Sequence, residues 1–240
     1  MKFKPVKRHK GAEVWYTRQL SKYVRQLKGL TNNAINGANL TTPAGLKALM
    51  LKLDNLAAAQ AVDLSTRLAL EFNKQMATQT EVEFTQGIKR ALGIDLAGML
   101  ANSPAVMAKL EMLTDANISL IQSVRTQYLD RVKTIITNGA AQGLTGKALA
   151  AQVQHAAGVT YKRAKLIARD QAAKYNGALE EAQQTELGIK KYRWSTSGDE
   201  RVRPSHVAND GKIFSWSKPP ETGHPGQDIQ CRCVAIPIFE

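Results

Sequence analysis

The chain has 240 residues, 43% of them hydrophobic, and carries a formal net charge of +13 with a sequence pI of about 9.8. That length and apolar content suffice for a real core in one domain or two, while the longest apolar runs are too short and too often broken by Lys, Asp or Gln to cross a bilayer. A field of this sign draws polyanions, so an anionic partner is expected.

The first forty residues form a basic segment. Between Lys2 and Lys28 basic residues far outnumber the single acid, Glu13, and Trp15, Tyr16 and Tyr23 are interleaved among them. This suits contact with a phosphate backbone aided by ring stacking, or insertion between acidic surfaces of a protein ring. Lys2, Lys4, Lys7, Arg8, Lys10 and Arg18 are the candidate anion-binding residues. Met1 to Lys10 lacks an apolar stretch behind its charges, so no secretory signal is expected and folding is assigned to a reducing cytoplasm.

Residues 41–140 read as a helical body. Thr42-Pro43 is a cap followed by a first-turn proline, after which Leu46, Leu49, Leu53 and Leu56 recur at helical spacing. A second helix is predicted from about Asn117, with Ile121, Val124, Tyr128, Val132 and Ile135 on its apolar face, stopping near Asn138-Gly139. From Leu144 to Tyr161 the pattern predicts a short helix and a tight turn at Gly158. A third helix follows from about Thr160, with the stripe Ala164, Ala168, Ala172, Tyr175, Leu179 and Ala182 small enough for close approach by a neighbour. Lys162, Arg163, Lys165 and Arg169 on that helix also permit a DNA-binding helix-turn-helix, although an ordinary helical hairpin explains the same segment.

After Gly188 the period changes to that of strands. Ile189 to Ser195, Gly211 to Trp216 and Cys233 to Phe239 alternate and carry aromatic or branched bulk, and Pro237 sets the last one near a sheet edge. The fold class is therefore α+β: a mainly α-helical N-terminal body and a small β-containing, loop-rich module at about 189–240.

The same stretch carries a series of motifs: Tyr192-Arg-Trp194, Asp199-Glu-Arg-Val-Arg203-Pro-Ser-His206, Asn209-Asp-Gly211, His224-Pro-Gly226 and Cys231-Arg-Cys233. In residue types and order these resemble the phage head morphogenesis domain of the Mu F-like minor capsid proteins. The resemblance covers about residues 141–240 and marks Trp194, Asp199, Arg203, His206 and Gly211 as the module's structural residues. It implies a minor head protein incorporated in the procapsid and associated with the portal protein. Other capsid or scaffolding proteins and non-specifically bound double-stranded DNA would be its further partners. Assembly in the host cytoplasm would lead to a place in the virion, inside the capsid near the portal vertex, with a role in head assembly and in DNA packaging or ejection. No membrane partner is expected, and with the module reaching Glu240 neither is an appended effector.

His206, His224, Cys231 and Cys233 follow the spacing H-x17-H-x6-C-x-C. Thiolates and imidazoles are the donors tetrahedral zinc accepts, and a loop-rich module gains stability from such a site. The spacing matches no zinc-finger signature, and cysteines filling small apolar niches with histidines bonding to the backbone account for the residues without a metal. On a strand Cys231 and Cys233 share a face, which permits joint ligation and disfavours a disulfide between them. Asp199, Arg203, His206 and Asp210 could form a phosphodiester site, and a metal-dependent nuclease using His206, Asp210 and His224 is the alternative function. An Asp199–Arg203 ion pair and a turn at Asn209-Asp210-Gly211 explain the same residues structurally. No nucleophile elbow, phosphate-binding loop or metalloprotease motif is present, so the expectation is a scaffold rather than an enzyme, with structural zinc the one cofactor considered.

Overall fold

The computed structural model describes residue 3 and residues 10–58, 61–96, 98–100, 103–144 and 147–239, with the backbone alone at 57, 58, 61, 62 and 147. The order of elements is α1 (Lys10–Asn36), α2 (Pro43–Ala58), α3 (Ala61–Leu92), α4 (Pro104–Ala141), α5 (Lys147–Glu186), β1 (Lys191–Ser195), α6 (Pro204–Val207), β2 (Ile213–Ser215) and β3 (Val234–Ile238). The α+β class holds. Among the described residues no helix is long and apolar enough to cross a membrane.

The residues gather into two compact units. One comprises 15–69 and 117–168, the other 1–14, 70–116 and 169–240. In the first, α1 buries Tyr16, Leu20, Tyr23, Val24, Leu27 and Ile35 on one face, and the Tyr16 hydroxyl donates to Asn117 Oδ1 at 2.6 Å within that core. Base stacking by Tyr16 and Tyr23 is therefore corrected: both rings are core residues. Thr42 caps α2 as expected, its Oγ1 accepting from Gly45 N at 3.1 Å.

Two helix boundaries differ from the sequence reading. The second predicted helix starts at Pro104 rather than near Asn117, because Ser103 Oγ accepts from Val106 N and Pro104 opens the first turn. Ser103-Pro104 repeats the Thr42-Pro43 signal. Its buried face uses Ile136, with Ile135 only half-buried. The third predicted helix has no break at Gly158: α5 runs unbroken from Lys147 to Glu186. Val153, Ala156, Ala157, Thr160 and Ala164 form one uninterrupted buried stripe through the position. Burying that stripe outweighs the cost of about 1 kcal/mol for a glycine in a helix interior. Neither a helical hairpin nor a helix-turn-helix exists there.

In the second unit β1 is the central strand of a three-stranded antiparallel sheet of order β2-β1-β3. Tyr192 pairs with Phe214 on one side and Pro237 on the other, so the proline-bearing strand does lie at an edge. Tyr192 and Trp194 point into a cluster with Trp216, Cys231, Cys233 and Ala235. Helix α5 meets this sheet with polar side chains. Gln230 N donates to Asp170 Oδ1 at 2.8 Å and Ala235 N to Glu180 Oε2 at 3.1 Å. Gln184 donates to Ala235 O at 2.9 Å and accepts from Trp216 Nε1 at 3.2 Å. The closest approach is between glycines: a Cβ on Gly177 would sit 2.3 Å from Pro225 O, and Gly226, at φ +88°, packs back against the Gly177 backbone. Past α5, Gly188 at φ +72° ends the helix, with Ile189 N returning to Gln184 O.

Candidate metal centre and adjoining basic cavity

Pro204 starts the single turn of α6, and that turn carries His206 inward; neither was expected from the sequence. The alternation leading into β3 turns Cys231, Cys233 and Ala235 to the buried side and leaves Arg232 on the other. His206 Nδ1 lies 3.5 Å from Cys231 Sγ and 3.4 Å from Cys233 Sγ. The three donor atoms all fall within 4.8 Å of one another, and all three residues are buried. Both cysteines are free thiols.

Around the sulfurs the groups are ordered for thiolate. The neighbouring Cys233 thiol, the amides of Gly226 and Cys233, each at 3.4 Å, and the positive potential of His206 all favour the charged form of Cys231. Together these pull the Cys231 pKa down against the opposing effect of burial. Cys233 is pushed up by its neighbour Cys231 and by burial. On the far side of the imidazole, His206 Nε2 lies 3.3 Å from Asp228 Oδ2 without meeting it along the N–H direction, and so has no hydrogen bond. Trp194 stands edge-on to the imidazole at 5.4 Å between ring centroids.

His224 does not join this group. Its Nδ1 is 2.8 Å from the Tyr192 hydroxyl and its ring packs on Trp216 at 4.9 Å. Burial raises the Tyr192 pKa and lowers that of His224, so the phenol stays protonated and donates to a neutral imidazole. The four-residue ligand set expected from spacing thus becomes three. Asp210 also stands apart, its Oδ1 accepting from Thr196 N at 2.7 Å, with Gly211 at φ +74° completing the expected turn. Among the described residues, His206, Asp210 and His224 form no common metal-binding group, so the nuclease constellation is not assembled.

The expected Asp199–Arg203 ion pair is also replaced. Asp199 receives both guanidinium nitrogens of Arg232, which hold its carboxyl below the usual range with help from the Arg201 amide. Arg203 instead reaches Asp228 at 3.2 Å and Ile229 O at 2.7 Å. These arginines border a cavity of about 650 Å³ whose lining, among the described residues, holds Lys10, Arg169, Arg201, Arg203 and Arg232 against one carboxylate, Glu13. Of the anion-binding residues expected from sequence, Lys10 lines this cavity and Arg18 is exposed on α1, while Lys2, Lys4, Lys7 and Arg8 lie outside the described residues. Sequence reasoning passed over Arg169, Arg201 and Arg232 as a group. Alternation could have found Arg232, which must face away from two cysteines that face inward.

Residues 130–236, which span the end of α4, all of α5 and most of the sheet module, match the family model described as Phage Mu protein F like protein. Over 249 aligned residues the chain is 40% identical to an uncharacterized protein of Haemophilus influenzae, covering 100% of this chain and 56% of that protein. The chain therefore spans about half the length of the curated relative it matches. No solved structure matches it.

Proposed function

We propose, from the match of residues 130–236 to the phage Mu protein F-like family of head morphogenesis, that this chain is a minor capsid protein bound to the portal during procapsid assembly. The observation that carries the reading is the family match itself, which falls on the module built around His206, Cys231 and Cys233. The net charge of +13 and the cavity walled by Lys10 and four arginines support a second contact, with the phosphates of packaged DNA. The protein acts as a structural component rather than an enzyme: Asp199 and Arg203 serve as ion-pair partners and Asp210 as a turn acceptor. Its place is the capsid interior, where it supports packaging or ejection through contacts with portal, capsid proteins and DNA.

Co-expression of the full chain with the portal protein of the same phage tests this. A complex that survives size-exclusion chromatography at moderate salt is expected. Absence of a complex at both low and moderate salt, with the chain folded by circular dichroism, would refute portal association.

A further inference from the structure

The chemistry of the buried His206–Cys231–Cys233 cluster is not explained by a role in head assembly. Two thiols and an imidazole are the donor set of zinc and other soft divalent ions. Their separations fit such an ion. With Zn–S of about 2.3 Å and Zn–N of about 2.0–2.1 Å at tetrahedral angles, the edge from sulfur to nitrogen is about 3.6 Å. The observed edges from Nδ1 are 3.4 and 3.5 Å. Outside the cluster, His206 Nε2 faces Asp228 and lacks a hydrogen bond. A carboxylate at that distance is the acceptor that would fix a ligating histidine, once Nε2 turns its N–H toward it, in the tautomer with Nδ1 free to bind metal. The amides of Gly226 and Cys233, directed at Cys231 Sγ, are the outer donors that thiolate ligands collect.

We propose that His206 Nδ1, Cys231 Sγ and Cys233 Sγ bind one zinc ion, with Asp228 as the outer partner of His206 and the fourth coordination position held by a ligand from outside the protein. Binding releases the thiol protons to solvent as the two Zn–S bonds form, with no change of oxidation state. The ion's role is structural. Arg232 lies between the two sulfur ligands and Arg203 three residues before the imidazole, so the ion clamps the two loops that wall the basic cavity. This inference stands independently of portal binding.

The test is the metal content of the full chain purified without chelator, followed by exchange into cobalt(II). One zinc per folded chain is expected, with cobalt giving intense thiolate-to-metal charge-transfer bands and tetrahedral ligand-field bands. Stripping the wild-type protein with a chelator should lower its melting temperature, and zinc should restore it. Cys233→Ser should abolish the charge-transfer pattern of two sulfurs, while His224→Gln should keep one ion per chain. Should Cys233→Ser fail to fold, the chelation and cobalt experiments on the wild type decide. A metal-free wild-type chain that gives no thiolate–cobalt bands on titration would overturn the proposal. So would a mass, in the unfolded metal-free chain, lower by two hydrogen atoms, diagnostic of a Cys231–Cys233 disulfide, or loss of the ion from folded His224→Gln.

Discussion

Two glycines of the same helix should respond to the same substitution with opposite sign. Gly158 is exposed in the middle of α5 and a Cβ there meets nothing within 4 Å. Gly158→Ala should therefore stabilise by about 0.5–1 kcal/mol, the ordinary preference of a helix for alanine. Gly177 would gain the same preference. Its Cβ, however, would stand 2.3 Å from Pro225 O and 3.1 Å from Gly226 Cα, both backbone atoms that cannot rotate away. Relief requires the 224–226 loop to retreat by about 1 Å, an overpacking cost of roughly 1–3 kcal/mol before loss of the Gly226 contact to Cys231 is added. Set against the alanine preference, the net effect of Gly177→Ala is destabilisation by about 2 kcal/mol. At this chain length each kcal/mol moves the melting temperature by about 2–4 °C. Thermal unfolding followed by circular dichroism should thus show Gly158→Ala rising a few degrees and Gly177→Ala falling by roughly 4–8 °C. A Gly177→Ala protein as stable as Gly158→Ala would refute the close approach of α5 and the loop.

Glu180 provides a pH signature. Burial raises its pKa from the ordinary 4.5 to about 8, prevailing over the bonds from the Ala235 amide and Asn176 that favour the charged form. Because the folded value is raised, the contribution is full below pH 4.5 and is lost as pH climbs through about 8. The loss is on the order of 4–5 kcal/mol. Urea unfolding between pH 5 and 9 (roughly the window in which the two states differ in bound protons) should show this slope in the wild type and lose most of it in Glu180→Gln; equal slopes would sink the assignment. Tyr192→Phe removes the donor to buried His224 Nδ1 and should cost about 1–3 kcal/mol by chemical denaturation; a neutral effect would show that the imidazole finds another partner. Binding to random-sequence duplex DNA should weaken steeply with salt, and Arg169→Ala with Arg201→Ala should each lower the logarithmic salt slope by about 1. An unchanged slope would remove the cavity from the DNA contact.

Much of this architecture was legible because periodicity reports burial. The leucines of α2, the alanine stripe of α5 and the three alternating strands could be placed from spacing alone, and Pro237 located the sheet edge. Misreadings arose where a residue's local preference lost to its neighbours. Gly158 signals a break, yet the stripe on either side of it is worth more than the glycine costs. His224 has the right chemistry for a ligand, but Tyr192 and Trp216 are close enough to claim its ring. Those partners are 32 and 8 positions away, a relation no local pattern encodes. The shared inward face of the two cysteines was readable from alternation, whereas Asp228 as the carboxylate behind His206 required the fold.

The polar seam along α5 bears on how a chain of this kind survives before it is built into anything. Asp170, Glu180 and Gln184 greet the arriving sheet with carboxyl and amide groups where leucines would ordinarily wait. Until the last fifty or so residues have docked, that helix face is wettable. A half-made molecule consequently offers other chains little to adhere to, and what brings the sheet home is a set of directed bonds that fit in one register only.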